Sequence, residues 1–341
     1  MTFEGPLGLA VGREDPMTAE MIRAVAAACA GHGIPVRFVS SPAEAEGVRT
    51  ILGIGYPHAY PALFSRPART RRIAWLGEPL PPAGSTGAVA RLFRELPSGR
   101  LMDAVGSVIT MGDRRPRPGR VVAWRERAAW EREWRTSLRA HLRAAALGTE
   151  LVATSADRAA TLAHFGVAAR VVPFGYHPTL AGPPVDPATG DRDIDVLAVG
   201  RDASGVPTRR CRIVQAFEHA ARGRLRVVSV EAGLYGDERA ALFRRAKIVL
   251  QVHRTPDNFA GIRELLAGAA GAAVLSEPMT AAEPFVPGVH FVEADPDRLA
   301  ETAVELVTDE PRRVRIARAL QALLAGELTM ERSVERVLSV P

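Results

Sequence analysis

The amino-acid sequence predicts an α/β protein made of two Rossmann-like units. Two observations support this fold class: short apolar, β-branched runs alternate with helical patterns, and a stretch rich in proline and glycine, residues 173–193, interrupts that alternation. Strands that alternate with helices pair in parallel through right-handed crossovers. The 341-residue chain is also long enough for two domains of about 150 residues each.

Strand-like composition recurs along the first unit. The predicted strands are residues 7–11, 36–39, 50–54, 72–76, 104–110, 150–154 and 169–172. Helical periodicity covers residues 17–31, residues from about 125 to 147 and a segment that begins at residue 156. Ser155 stands directly before that last segment and is the expected N-cap of the helix.

The same rhythm restarts after the proline-rich stretch. The predicted strands of the second unit are residues 195–199, 225–230, 248–252, 272–276 and 289–292. The predicted helices are residues 210–222, 237–245, 261–269, 297–308, 311–325 and 330–338. No internal sequence repeat relates the two units, so they share architecture only.

These patterns divide the chain into an N-terminal domain, a linker, a C-terminal domain and a final helix. The expected bounds are 1–175, 176–193, 194–328 and 329–341. Two such domains place a cleft at the carboxyl ends of their parallel strands. Dehydrogenases, periplasmic-type binding proteins and two-domain transferases all fit this architecture, because a fold alone does not fix a function.

Motifs of several enzyme classes are missing from the sequence. Gly53 and Gly55 lead into Tyr-Pro-His rather than a GxGxxG loop, and no Walker loop, HxxxH, CxxC or GxSxG pattern occurs. The two cysteines, Cys29 and Cys211, fall in different predicted domains, which disfavours a disulfide framework. No export signal or membrane-spanning apolar run is apparent, so a cytoplasmic protein is expected.

Positive charge is concentrated in one stretch of a chain whose formal net charge is +6. Residues 113–143 hold ten arginines against four acidic residues. Two interpretations stay open: a solvated helix, or a surface that binds polyanions such as a membrane or a nucleic acid. Peripheral membrane contact through 113–143 is therefore one hypothesis, and no specific nucleic-acid partner is expected.

Several segments in the second half resemble GT-B glycosyltransferases of the spore-maturation-protein type. The resemblance covers about residues 150–340 well and the first 150 residues loosely. It is carried by the ordered combination of segments, since no single one is diagnostic. These segments are Val-Val-Pro-Phe-Gly-Tyr-His-Pro (171–178), Asp-Val-Leu-Ala-Val-Gly-Arg (195–201), Arg209-Arg210, Tyr-Gly-Asp-Glu (235–238), Lys-Ile-Val-Leu-Gln-Val-His (247–253), Arg-Glu-Leu-Leu-Ala (263–267), Gly-Ala-Ala-Val-Leu-Ser-Glu (271–277), Phe-Val-Pro-Gly-Val-His-Phe-Val (285–292) and Asp-Arg-Leu (297–299).

The resemblance implies a GT-B fold, with two Rossmann-like domains facing each other across a cleft and a final helix that crosses back to the first domain. It implies transfer of a sugar from a UDP- or GDP-type donor, bound mainly by the C-terminal domain. The acceptor, a small molecule or a glycan, would bind mainly to the N-terminal domain. The implied reaction is retaining and metal-independent, with the nucleotide sugar as co-substrate and no other cofactor.

Cleaving a nucleotide sugar builds negative charge on the departing diphosphate. An enzyme without a metal must supply positive charge from side chains and helix N-termini. Gly200 allows close backbone approach after a predicted strand, and arginines offer forked donors that match phosphate oxygens. The predicted phosphate ligands are Gly200, Arg201, Arg209 and Arg210. Arg201 and Arg209 are also predicted to assist catalysis; the alternative for each arginine is simple exposure to water.

Further donor ligands are expected around the helix predicted at 261–269. The family's usual ribose-binding glutamate falls on Leu266 when the helix is counted back from Gly271. Glu264, beside the family-like Arg263, is the substitute candidate, and the alternative is a solvated acid at a helix start. The other predicted donor contacts are His253, which follows a strand, and Asn258 and Phe259 on the next loop.

Two residues of the first half are candidates for the acceptor side. His58 and Glu78 each follow a predicted strand and would lie at the cleft. Glu78 could position the acceptor or act as a base, although a retaining reaction can pass the acceptor proton to the leaving phosphate. His177 falls in the interdomain turn. A non-catalytic relative that binds a nucleotide or a glycan is the alternative function, because Leu266 departs from the family pattern.

Overall fold

The computed structural model describes residues 5–12, 16–55, 59–64, 70–77, 80, 138–201, 209–231, 233–253 and 261–339. The predicted strand 104–110 and the first part of the helix predicted at 125–147 lie outside these residues. The remainder of that helix is helical at residues 138–146.

The first half forms a six-stranded parallel sheet with the strand order β2-β1-β3-β4-β5-β6. Strands β3 and β4 lie at its centre and are almost entirely buried, as the apolar residues 51–54 and 73–76 require. The strands are β1 (Leu7–Ala10), β2 (Val36–Val39), β3 (Thr50–Ile54), β4 (Arg71–Leu76), β5 (Glu150–Ala153) and β6 (Ala169–Val171). The helices are α1 (Pro16–Gly31), α2 (Pro61–Phe64) and α3 (Ala156–His164).

The second half forms a five-stranded parallel sheet with the order β11-β10-β9-β7-β8. A short helix, α4 (Pro178–Ala181), lies in the segment that connects the two sheets. The strands are β7 (Ile194–Arg201), β8 (Val227–Glu231), β9 (Ala246–Gln251), β10 (Ala273–Ser276) and β11 (Val292–Glu293). The helices are α5 (Arg209–Ala221), α6 (Gly236–Arg245), α7 (Ile262–Ala269), α8 (Leu299–Thr308), α9 (Glu310–Gly326) and α10 (Met330–Leu338).

Two local details differ from the sequence predictions. Ser155 occupies the N-cap position of α3 with extended backbone angles, but its side chain makes no capping hydrogen bond. The strand predicted at 289–292 shrinks to the two residues of β11. The first residues of the predicted strand form turns instead, in which the N–H groups of Val289 and His290 both donate to the oxygen of Val286.

The final helix lies against the first half of the chain. Helix α10 packs on α1, and two arginines of the first sheet cap its C-terminal carbonyls. Arg71 Nη1 donates to the Leu338 oxygen at 2.8 Å, and Arg170 Nη2 donates to the Val337 oxygen at 2.8 Å. The negative end of a helix dipole favours such cations, so these bonds anchor α10 to the first sheet.

A tight backbone crossing joins the linker to the start of α10. Tyr176 N donates to the Leu328 oxygen at 2.7 Å, and Met330 N donates to the Tyr176 oxygen at 2.8 Å. A Cβ on Gly175 would lie 2.2 Å from the carbonyl carbon and oxygen of Thr329. This crossing therefore requires glycine at position 175.

Among the residues that the structure describes, no helix has the length and apolar character needed to span a membrane.

Candidate functional site

The strand order of the second sheet reverses direction between β7 and β9. Strand β8 lies on one side of β7, whereas β9, β10 and β11 follow on the other side. In open parallel sheets, ligands bind at such a point, in the crevice outside the carboxyl ends of the strands. Gly200 and Arg201 end β7 at this point, and Val252 and His253 directly follow β9.

Arg209 opens helix α5 and reaches the ends of two neighbouring strands. Its Nη1 donates to Glu277 Oε1 at 2.9 Å and to the backbone oxygen of His253 at 3.1 Å, and its Nη2 donates to Glu277 Oε2 at 2.5 Å. Glu277 follows β10 and also accepts the backbone N–H of His253 at 2.5 Å. These three residues join α5, β9 and β10 into one hydrogen-bonded group at the carboxyl edge of the sheet.

Two further arginines stand at the same edge. Arg263, in the first turn of α7, donates from Nη1 to Gln251 Oε1 at 2.5 Å, at the end of β9. Arg210 neighbours Arg209 on α5, and the charges of all three guanidinium groups act on the His253 imidazole. Among the described residues, three arginines lie at this edge with the carboxylates of Glu277 and Glu264, so the arginines outnumber the carboxylates.

His253 is held uncharged at this edge. The residue is only 2% exposed, and no described residue pairs with its Nε2. Burial lowers the pKa of His253 to about 4; the Glu277 charge opposes this shift, and the charges of Arg263, Arg210 and Arg209 reinforce it. At neutral pH the side chain is a neutral imidazole beside a group of cations.

Glu264 is the second unusual side chain of the site. It lies in the first turn of α7, is 0% exposed, and receives no hydrogen bond to either carboxylate oxygen from any other described residue. Burial raises the pKa of Glu264 to about 7, and the nearby charge of Arg263 opposes that shift. Leu266 occupies the position where the family pattern has its ribose-binding glutamate, and its side chain packs in the hydrophobic core.

One buried contact brings the carboxyl edges of the two sheets together. Helix α1 follows β1 and helix α6 follows β8, so both helices begin at the carboxyl edge of their sheet. Glu20 of α1 accepts the Gly236 N–H of α6 at 2.7 Å and pairs with Arg239 Nη1 at 2.7 Å. Through Glu20, the helix that follows β1 therefore contacts the helix that follows β8.

A protein-family comparison matches the part of the chain that contains this edge. Residues 201–339 match the model of a family described as glycosyl transferase-like. That match begins at the last residue of β7. It includes Arg209, Arg210 and Arg263, which together are called the arginine cluster below. Among curated proteins, none matches the chain.

Solved structures match nearly the whole chain. The structure of HepE from Anabaena in complex with UDP and glucose has a TM-score of 0.60 at 13% identity, with 97% of this chain and 98% of that chain covered. The structure of WaaG, a glycosyltransferase involved in lipopolysaccharide biosynthesis, has a TM-score of 0.56 at 12% identity, with 98% and 100% covered. The fold is that of a GT-B glycosyltransferase.

This GT-B fold confirms the predicted fold class of two Rossmann-like units. HepE was also solved with UDP-glucose, and that structure matches at a TM-score of 0.57 and 13% identity over 97% of this chain and 98% of that chain. The comparisons do not reach the spore-maturation branch named from the sequence, which stays a prediction.

The structure brings part of the predicted donor site together. Arg209, Arg210, His253 and Arg263 converge at one sheet edge, with Glu264 buried beside Arg263. Gly200 and Arg201 end β7 as expected, and only their backbone is described. The remaining predicted site residues, His58, Glu78, Asn258 and Phe259, lie outside the described residues. All of these roles stay predictions.

Sequence reasoning left two site residues without a role. Glu277 and Gln251 hold Arg209 and Arg263 in place, a role that the sequence patterns indicated for neither residue. A usable signal exists for both: each is a polar residue at, or directly after, the carboxyl end of a strand that is mostly apolar and buried. Buried polar groups at such positions need partners, which here are the arginines.

Proposed function

We propose that this chain transfers a sugar, of the hexose type, from a UDP- or GDP-linked donor to a small-molecule or glycan acceptor. The observation that carries the proposal is the convergence of Arg209, Arg210 and Arg263 around a neutral His253 at the point where the strand order reverses. The glycosyl transferase-like match over residues 201–339 supports glycosyl transfer. The complexes of HepE with UDP and UDP-glucose support a UDP-type donor.

The arginine cluster suits a departing nucleoside diphosphate. Negative charge grows on that group as the glycosidic bond breaks, and guanidinium donors fixed in advance stabilise it without reorganising during the reaction. Arg201, Arg209 and Arg210 are the proposed phosphate ligands, and the glycine at 200 admits the phosphate near the backbone. With this charge supplied by side chains, the proposed reaction needs neither a metal nor a cofactor.

The remaining donor contacts follow from their positions around the cluster. Glu264 is the proposed acceptor of ribose hydroxyl hydrogens, because its buried carboxylate has unused acceptor capacity among the described residues. Arg263 and His253 border the same space, and Asn258 and Phe259 belong to the segment between them. His253 is uncharged at neutral pH, so it offers the donor sugar a hydrogen bond rather than a charge.

The proposed division of labour follows the two sheets. Residues 194–328 hold the donor, residues 1–175 hold the acceptor, residues 176–193 link them, and residues 329–341 tie the second part to the first. His58 and Glu78 follow strands β3 and β4 and are the proposed acceptor-side residues. In the proposed retaining reaction the leaving phosphate takes the acceptor proton, and closure of the cleft excludes water.

A non-catalytic nucleotide- or glycan-binding role is the second candidate. One observation favours it: Glu264 is completely buried and Leu266 lies in the core, so the first turns of α7 present no exposed carboxylate. A protein that lost the ribose contact would retain the arginine cluster and bind the diphosphate without turnover.

Purified protein incubated with a panel of UDP- and GDP-sugars separates the two functions. Glycosyl transfer predicts release of UDP or GDP from one donor, accelerated by an acceptor, together with thermal stabilisation by the same nucleotide. Stabilisation without any release supports the non-catalytic role. Neither release nor stabilisation with any member of the panel contradicts both.

A further inference from the structure

Glu277 is buried at the carboxyl end of β10 and gives both carboxylate oxygens to other residues. Its side chain is only 3% exposed. Oε1 accepts from Arg209 Nη1 and from the His253 backbone N–H, and Oε2 accepts from Arg209 Nη2. Such a buried carboxylate with paired, charge-assisted bonds holds its partner in one orientation.

The geometry of these bonds decides which part of Arg209 stays available. A guanidinium carries five N–H hydrogens in a planar fork. Glu277 accepts one hydrogen bond from each terminal nitrogen of Arg209. The His253 oxygen accepts a bond from the second hydrogen on Nη1. Among the described residues, no partner takes the Nε hydrogen or the second Nη2 hydrogen.

The two remaining hydrogens lie side by side on one edge of the guanidinium plane. That edge is the fork with which arginine binds a phosphate through two parallel hydrogen bonds. The Arg209 side chain is 25% exposed, so it is reached from solvent even though Glu277 is not. Glu277 and the His253 oxygen therefore occupy one end of the guanidinium and leave the phosphate-binding edge open.

We infer that Glu277 is a positioning residue, which fixes Arg209 so that its open Nε–Nη2 edge faces the diphosphate of the donor. This inference rests on the proposed glycosyl transfer. Because Glu277 acts through Arg209, it affects the step in which charge develops on the leaving group more than it affects initial donor binding. A misplacement of about 1 Å at such a group costs about 10²-fold in rate.

Steady-state kinetics of Glu277→Gln with the donor that wild-type protein uses tests the inference. The amide keeps one acceptor oxygen but replaces the other with a donor that repels Nη2. We expect kcat to fall by about 10²-fold with a change in donor KM of about threefold or less. Glu277→Asp, which keeps the charge on a shorter side chain, should recover part of that loss. A wild-type kcat in Glu277→Gln overturns the inference.

Two further measurements separate positioning from a general structural role. In an Arg209→Lys background, adding Glu277→Gln should have little additional effect on kcat, because an ammonium group has no planar fork to orient. Full additivity of the two changes overturns the inference. Glu293→Gln is the matched control. Glu293 ends the neighbouring β11, and among the described residues its side chain bonds only to the Met279 backbone N–H, so the kcat of this variant should equal that of wild type.

Binding of inorganic pyrophosphate, measured by calorimetry, keeps this test distinct from that of glycosyl transfer. If wild-type protein turns over no donor, the proposed function fails, while pyrophosphate binding still reports on Arg209. Glu277→Gln removes one negative charge beside Arg209, which by itself would favour binding of an anion. Weaker pyrophosphate binding in this variant therefore supports positioning. Tighter binding shows that Glu277 acts only as a counter-charge and overturns the inference.

Discussion

Glu20 and Arg239 form a buried ion pair that joins the two halves of the chain. Arg239 Nη1 lies 2.7 Å from Glu20 Oε2, and the side chains are 6% and 3% exposed for Glu20 and Arg239. Arg239 Nη2 also donates to the Leu180 oxygen at 2.7 Å, and Glu20 Oε1 accepts the Gly236 N–H at the start of α6. One pair thus connects α1, the linker helix α4 and α6.

The first prediction concerns this pair. Glu20→Gln should lower the free energy of unfolding by about 3 kcal/mol or more, because it leaves the Arg239 charge buried without its partner. Chemical denaturation monitored by circular dichroism measures the change. Glu305→Gln, on the exposed face of α8, is the control and should change stability by about 0.5 kcal/mol at most. An unchanged denaturation midpoint in Glu20→Gln would show that the pair contributes nothing to the junction.

The second prediction concerns the backbone crossing at Gly175. Gly175→Ala should destabilise the protein by about 1–3 kcal/mol, because the new Cβ would overlap the Thr329 carbonyl and push the start of α10 away from the linker. Thermal unfolding measures the effect. Gly326→Ala, where a Cβ would meet nothing within 4 Å, should be neutral or stabilising. Equal melting temperatures for the two variants would rule out the tight crossing.

The third prediction follows from the lowered pKa of His253, about 4 because of burial. Its ordinary value is about 6.5, so between pH 6.5 and 4 the unfolded chain binds the proton more readily than the folded one. Stability should therefore fall by about 3 kcal/mol as the pH drops through that window. His253→Gln removes the titration, and its stability should fall less over the same range. Parallel pH curves for the two proteins would contradict the assignment.

The fourth prediction has the opposite sign and concerns Glu264, whose pKa is raised to about 7 by burial. Between the ordinary value of 4.5 and 7 the folded chain keeps a proton that the unfolded chain loses, so stability falls as the pH rises. Glu264→Gln mimics the protonated acid. It should match wild type near pH 4 and exceed wild-type stability at pH 8, as measured by denaturation at both pH values. A variant less stable than wild type at pH 8 would indicate a paired, ionised carboxylate instead.

The fifth prediction concerns the anchor of α10. Arg71 donates two hydrogen bonds to Glu150, and these lower the pKa of the Glu150 carboxyl below its ordinary value. Such a lowered pKa stabilises the fold above the ordinary value, and the contribution is lost as the pH falls through the lowered one. Glu150→Gln should therefore lower the melting temperature at pH 7 and have less effect near pH 3. Glu301→Gln, in an exposed pair with Arg298, should show little change at either pH.

The sequence was sufficient to predict the fold class and the bounds of most elements. Strands β3 and β4 contain the apolar runs 51–54 and 73–76, which parallel sheets bury on both faces. The final helix was predicted at the residues that α10 occupies. The strand predicted at 289–292 was placed too early, because its apolar residues also suit a turn around Gly288. Composition alone does not distinguish a strand from such a turn.

The contacts that build the site were less accessible to sequence reasoning. Glu20 lies 216 positions from Gly236, and no local pattern shows that an acid in one helix caps another helix in the other half. The role of Glu277 could not be read from the sequence, because its pairing with Arg209 depends on which strands are neighbours. Such contacts depend on which strands are neighbours in the sheet. No local sequence pattern indicates that order.

The central claim is that arginines at the carboxyl edge of the second sheet stabilise a departing diphosphate. The most direct measurement is the turnover of a protein in which Arg201, Arg209 and Arg210 are all replaced by glutamine. We predict a loss of at least about 10³-fold in kcat with the donor that wild-type protein uses, at a melting temperature that still indicates a folded protein. Turnover equal to that of wild type would contradict the claim.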